Sequence, residues 1–289
     1  MHSLFEYGLA QLTDAAWSVA TPVPFFLLLA LITKRMGIWR DVRRVLPEAG
    51  IAILMLASEA LLFAPFLVAS AILINQLFAW VPWRDFWNGW PLWAIGFAGV
   101  LVGDLAGYWR HRFEHSELLW PSHAVHHSDT AMTWFAVFRF HPFNRFSTVV
   151  LDIGALSLLG LPPSAIFVNA FVRHFYGAFI HADLPWTYGP LGRVFVSPAM
   201  HRWHHAKDSA AFNTNYASVF SAIDFIFGTY RVPGPCDAPL GVTDDMGQGF
   251  IGQYTYPLRL RAYAPIRRWR RRKAKEAGRN IGEGVGSVS

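Results

Sequence analysis

The chain has 289 residues, 53% of them hydrophobic, and a mean hydropathy of +0.27, which excludes an ordinary soluble domain and points to an integral membrane protein. A single cysteine, Cys236, excludes a disulfide framework, a thiolate cluster and a zinc ribbon. Much of the net charge of +6 sits in the tail RLRAYAPIRRWRRRKAK, which on a membrane chain marks the cytoplasmic side and anionic lipid rather than nucleic acid.

Residues 1–15 carry Glu6 and Asp14 but no lysine or arginine, so no cleaved signal peptide is expected. Residues 17–33 read as a first span whose start is frayed by Pro22 and Pro24. The loop that follows carries Lys34, Arg35, Arg40, Arg43 and Arg44, which makes it cytoplasmic and places the N-terminus outside. Residues 50–78 exceed the thickness of a bilayer and hold Glu59 and Pro65, so a tilted or kinked single span is expected. Glu59 should face the bundle interior or water, since a carboxylate is costly in hydrocarbon. Trp80, Trp83, Trp87, Trp90 and Trp93 crowd around a short loop, the pattern of an aromatic belt on the outer side. Residues 91–109 then return as a third span and run directly into His111.

Residues 146–161 and 164–180 form a second apolar pair broken at Pro162-Pro163, a hairpin of two crossings or a re-entrant pair. Either arrangement leaves everything from His201 onward cytoplasmic, together with the other histidine clusters. The GEGVGS stretch at 282–287 follows no strand and opens no helix, so it reads as disordered terminus and not as a nucleotide loop.

Eight of the twelve histidines fall in three clusters: His111 and His115; His123, His126 and His127; His201, His204 and His205. Residues three and four apart share a helix face, so each cluster projects two or three imidazoles one way. Neutral imidazole suits iron, copper, zinc and nickel, and eight are too many for one ion of four to six ligands. The count argues for two metals. A zinc protease is excluded, because HExxH would need glutamate where Arg112 stands. Asp104, seven residues before His111 on the same face, is expected either to accept from a histidine N–H or to pair with Arg110 or Arg112.

The run DLAGYWRHRFEH, LLWPSHAVHHS, FRFHP, FIHADL, SPAMHRWHH, NTNYAS and DFIFGTY, within residues 98–231, resembles the fatty acid hydroxylase/sterol desaturase superfamily of integral-membrane di-iron oxygenases. The resemblance implies an all-α transmembrane bundle with a cytosolic histidine-lined helical cap. It divides the chain into membrane spans at 1–97, a hydroxylase-like domain at 98–231 and a partly disordered cytosolic basic tail at 232–289. It further implies two iron ions, O2 as cosubstrate, and hydroxylation, desaturation or oxidative cleavage of a lipid such as a sterol or fatty acyl chain.

Carried over by position, the ligands implied are His111, His115, His123, His126, His127, His181, His201, His204 and His205. Gly177 stands where some members have a further histidine, and His174 is a candidate substitute. His141 in RFHP is implied as a supporting or structural residue. Asn215 and Asp224 match late motif positions, although the motifs read NYA and ID here. The chain has no credible nicotinamide or flavin fold, so a separate reductase, ferredoxin or cytochrome is expected as electron donor. The final GVGSVS carries no retention signal, which favours a bacterial plasma membrane. Two alternatives stay open on the residues alone: a bis-histidine haem electron carrier, and an inactive relative that binds lipid or is filled with zinc, which competes well for imidazole.

Overall fold

The computed structural model describes residues 4–34 and 38–264; His2, Arg35, the polybasic run from Arg267 and the GEGVGS stretch lie outside the described residues. The architecture is an all-α membrane bundle carrying a helical cap, and no strand forms among the described residues, where an isolated bridge joins Ala206 to Leu240. Three helical stretches, Glu6–Thr33, Asp41–Leu77 and Leu92–Glu114, are long and apolar enough to cross a bilayer.

The first comprises α1 (Leu4–Ala20) and α2 (Val23–Lys34), separated at Thr21-Pro22. It begins earlier than the expected 17–33, because the residues before Trp17 already form helix. Of the basic residues expected in the loop, Lys34 ends α2, and Arg40, Arg43 and Arg44 fall within the next helix. Helix α3 (Ile38–Ser58) includes Arg43 and Arg44, and its first turns serve as a strut to the cap. There Arg44 donates to the Thr130 carbonyl, while Glu48 pairs with Arg139 at 2.5 Å and accepts from the Thr130 hydroxyl at 2.7 Å.

The expected kink in the second span is a π-helical turn at Glu59–Phe63 leading into α4 (Ala64–Leu77). Pro65 supplies no N–H, and the widened turn accommodates the missing bond. Glu59 faces inward and binds Arg145 Nε at 2.8 Å. Two belt tryptophans, Trp83 and Trp87, donate to the carbonyls of Leu158 and Leu159 and so tie the belt to the tip of the second apolar pair.

Helix α5 (Leu92–Glu114) is the axis of the molecule. It packs along α9 (Pro163–Ile180), the two running in the same direction with Gly99 on Ala165, Gly103 on Asn169 and Gly107 on Arg173. A Cβ on Gly99 would lie 2.7 Å from the Ala165 carbonyl oxygen, so glycine sets the closeness of this contact. The other limb of the hairpin is α7 (Pro142–Thr148), a π-turn at Val149–Ile153, and α8 (Gly154–Leu158).

The cap contains α6 (Trp120–His127), α10 (Pro198–His204), α11 (Ser221–Ile226) and α12 (Gly249–Thr255). Residues 232–264, assigned from sequence to the basic tail, fold onto it. Met246, Tyr256 and Ala262 share a buried cluster with Met55, Ala124 and Val125. Apolar burial holds this segment in place, and Gln253 accepts from Arg139 at 2.9 Å.

Candidate metal centre

Four helices end at one place. His111 lies in the last turn of α5 and His115 caps it; α6 ends on His126 and His127; His181 caps α9; His201 and His204 lie on α10 with His205 as its cap. Helix C-termini carry partial negative charge, so the convergence favours a cation by about 0.3–1 kcal/mol per helix.

With His123 these make nine histidines, which form two groups. His111, His115, His123, His127 and His204 make one, and His126, His181, His201 and His205 the other; within each, one nitrogen per ring lies within 4.8 Å of all the others. The sequence-derived set is thus brought together entire. His174 is not part of either group; it lies beside Phe138 and bonds to the Ser18 backbone.

The tautomers follow from the hydrogen bonds. Nδ1–H of His111 donates to the Tyr216 carbonyl at 2.8 Å, that of His204 to Thr214 at 2.7 Å, and that of His181 to Gly177 at 2.6 Å. His123 Nδ1 donates to Asn144 Oδ1 at 3.1 Å, with Glu114 at 3.5 Å. Each such ring then carries a lone pair on Nε2. Yet the Nε2 atoms of His111 and His204 stand 2.9 Å apart, where two lone pairs repel unless a cation lies with them.

The remaining rings are short of partners: His115 Nε2, His126 Nδ1, His201 Nδ1 and both nitrogens of His205 are buried without a hydrogen bond. Buried polar nitrogens without partners are costly, and ligation of metal relieves the cost. Burial, reinforced by neighbouring imidazoles, holds His126, His127, His201 and His205 well below the usual histidine range. It also lowers His181 to about 4 and His204 to about 3, so all six rings are neutral near pH 7, the state that binds metal. The donor set therefore fits two imidazole-ligated ions.

A rigid loop supplies the carbonyls that orient His111 and His204. Asp104 accepts the backbone N–H groups of Ser218, Val219 and Phe220 at 2.9, 3.0 and 2.7 Å. This corrects the expectation for Asp104, which meets neither a histidine nor Arg110 or Arg112: three backbone amides engage its two oxygens. Asp224 accepts from Tyr216 and Ala217 N–H, and Asn215, at φ 62°, bridges Met200 and Arg231. Asp104, Asn215 and Asp224 thus act on the imidazoles only through the loop backbone. His141 is structural: its Nδ1 caps α7 at Phe143 N–H and its Nε2–H donates to the Tyr254 carbonyl.

Asn144 and the carbonyls of Thr214, Tyr216 and Gly177 were missed in the sequence. A backbone carbonyl carries no residue-type signal, and Asn144 is one asparagine among several. Two cavities meet the centre. One of about 440 Å³ reaches His111, His123, His126, His181 and His201 from between α5 and α9. The other, of about 360 Å³, touches only His115, His127 and His204 from the cap side.

Fold and site define an all-α membrane protein with a buried nine-histidine centre. The family model for fatty acid hydroxylase matches residues 96–229. Ornithine lipid hydroxylase OlsE of Rhizobium tropici is 34% identical over 177 residues, 60% of this chain and 53% of that protein. Alkylglycerol monooxygenase of Danio rerio is 32% identical over 174 residues, 60% of this chain and 37% of its own length. Delta(7)-sterol 5(6)-desaturase erg3C of Aspergillus fumigatus is 29% identical over 175 residues, 53% of each chain. The alignments thus span about half or less of these relatives. No solved structure matches the chain. Residues 96–229 thus match the fatty acid hydroxylase family, and the chain is similar through them to the fatty acid hydroxylase/sterol desaturase superfamily.

Proposed function

We propose that the nine histidines hold two iron ions and that the protein is an O2-dependent oxygenase acting on a membrane lipid. The observation that carries this reading is the pair of adjacent all-imidazole groups, each with one nitrogen per ring within 4.8 Å of the others and several nitrogens buried without a partner. When bound, iron held by neutral nitrogen would supply an electrophilic centre for oxidising an unactivated C–H bond. Hydroxylation is favoured over desaturation, because the relatives at 34% and 32% identity are named for hydroxylase or monooxygenase activity, ahead of a sterol desaturase at 31%.

In that reaction one oxygen atom enters the C–H bond and the other leaves as water, using two protons and two electrons. The electrons come from a separate reductase, ferredoxin or cytochrome. The protein's own part is positional. Burial keeps bulk water from the histidines, the loop carbonyls hold His111 and His204 with Nε2 inward, and the larger cavity admits the lipid to both groups. The setting proposed is a bacterial plasma membrane with the cap and C-terminus cytoplasmic, since anionic lipid attracts the basic tail.

The test is metal analysis of detergent-purified protein with Mössbauer spectra after iron-57 enrichment, then turnover of membrane lipids with a supplied reductase. Two coupled irons per chain are expected, with turnover abolished and metal content reduced in His126→Ala and His204→Ala. Haem iron, a single zinc, or full activity in His204→Ala would overturn the reading.

A further inference from the structure

The larger cavity is not a purely apolar tunnel. It follows α9 from His181 past Arg173 to Asn169, eight and twelve residues earlier, or about 12 and 18 Å along the axis. Val137, Phe140, Ile153 and Leu156 give it apolar wall, enough for a hydrocarbon chain. An alkyl chain alone has no use for an amide and a guanidinium inside a bundle, where unpaired polar groups are costly.

Two features mark a built polar pocket. Asn169 is 6% exposed, its side-chain amide lies across Gly103 with Oδ1 nearest that glycine, and its Nδ2, the group able to donate to a ligand oxygen, makes no hydrogen bond among the described residues. Arg173 uses Nη1 alone, donating to the Gly103 carbonyl and to Asp152 at 2.8 Å each; its Nε and Nη2 have no partner among the described residues. Glycine at 103 and 107 makes the room: a Cβ would come within 2.1 Å of the Asn169 amide and 2.4 Å of the Arg173 guanidinium.

The charges select the kind of group. Every cation lining the cavity is already paired: Arg110 with Glu114 and Asp152, Arg173 with Asp152, and Arg145 with Glu59. A bound carboxylate would add an uncompensated buried charge, whereas an uncharged oxygen can take the spare N–H donors at no such cost.

We propose that Asn169 and Arg173 seat an uncharged acceptor oxygen of the lipid, an ester, amide or ether, while its chain runs along α9 to the histidines. The assignment of this ligand as substrate rests on the oxygenase reading; the binding itself does not.

The test is equilibrium binding of radiolabelled methyl oleate, ionised oleate and octadecane to the purified full-length protein in detergent. Wild type should bind methyl oleate about ten-fold more tightly than octadecane, the worth of one good hydrogen bond, and more tightly than oleate. Asn169→Leu should lose that preference while keeping its octadecane affinity and metal content; Asn169→Ser should keep part of it. Equal binding of ester and alkane in wild type, an unchanged preference in both variants, or tighter binding of oleate would overturn the proposal. Ester preference in a protein without iron would overturn the oxygenase reading alone, and a di-iron protein without the preference would overturn this one alone.

Discussion

Asp104 is fully buried and spends its charge on three consecutive amides, so its contribution lies in holding the loop of residues 213–220 against α5. Removing it leaves three buried donors unpaired, each costly, and loosens the carbonyl that fixes the His111 tautomer. Asp104→Ala should lose about 3 kcal/mol of stability, with Asp104→Asn intermediate. Thermal unfolding in detergent measures the loss, and metal content per chain should fall with it. Wild-type metal content and midpoint in Asp104→Ala would remove the loop from the argument.

His141 gives a pH dependence with a definite sign. Burial lowers it from 6.5 to about 4 in the fold, so the unfolded chain takes up a proton first as pH falls. The stability it contributes is present above pH 6.5 and is lost progressively between 6.5 and about 4. Between pH 7 and pH 5 the loss is about 2 kcal/mol. His141→Asn keeps a capping oxygen but does not titrate, so wild type should lose more stability than the variant over this interval. Unfolding midpoints at the two pH values give the difference, and parallel shifts would contradict it.

At the scale of elements, the contact of α5 with α9 is set by small residues rather than by interlocking large ones. Gly99→Ala must push its methyl against the Ala165 backbone oxygen at 2.7 Å, which a side-chain rotation cannot relieve. A loss of about 1–3 kcal/mol is expected. Gly50→Ala in α3, with nothing within 4 Å of the new methyl, should leave the unfolding midpoint unchanged or raise it slightly. Equal effects of the two substitutions would show that close approach of α5 and α9 does not matter. The same scale explains the two π-turns, at Glu59–Phe63 and Val149–Ile153, which widen the backbone beside the cavity wall. The ion pair of Glu59 with Arg145 joins the first of these turns to α7, which leads into the second.

For the whole molecule, the parallel run of α5 and α9 separates two ends. The tryptophan loop binds the α8 tip at one end, and the four histidine-bearing helix ends gather at the other. Stability and function are coupled there, since the cap is assembled around nitrogens that lack partners of their own. Ions bound only by the folded state raise its stability.

Sequence by itself determined the membrane class, the apolar spans and the eight clustered histidines, because hydropathy is summed locally and imidazole spacing on a helix is a local periodicity; His181 entered only through the family resemblance. It also led to the superfamily, since its motifs are short and contiguous. Tertiary structure alone decided the division of the histidines into groups of five and four, which depends on where four helix ends meet. It alone showed Asp104 serving a loop more than a hundred residues away, and residues 232–264 closing the cap instead of trailing from it. Those outcomes rest on backbone carbonyls, amides and apolar faces brought together by packing, and such groups carry no signature in the order of residues.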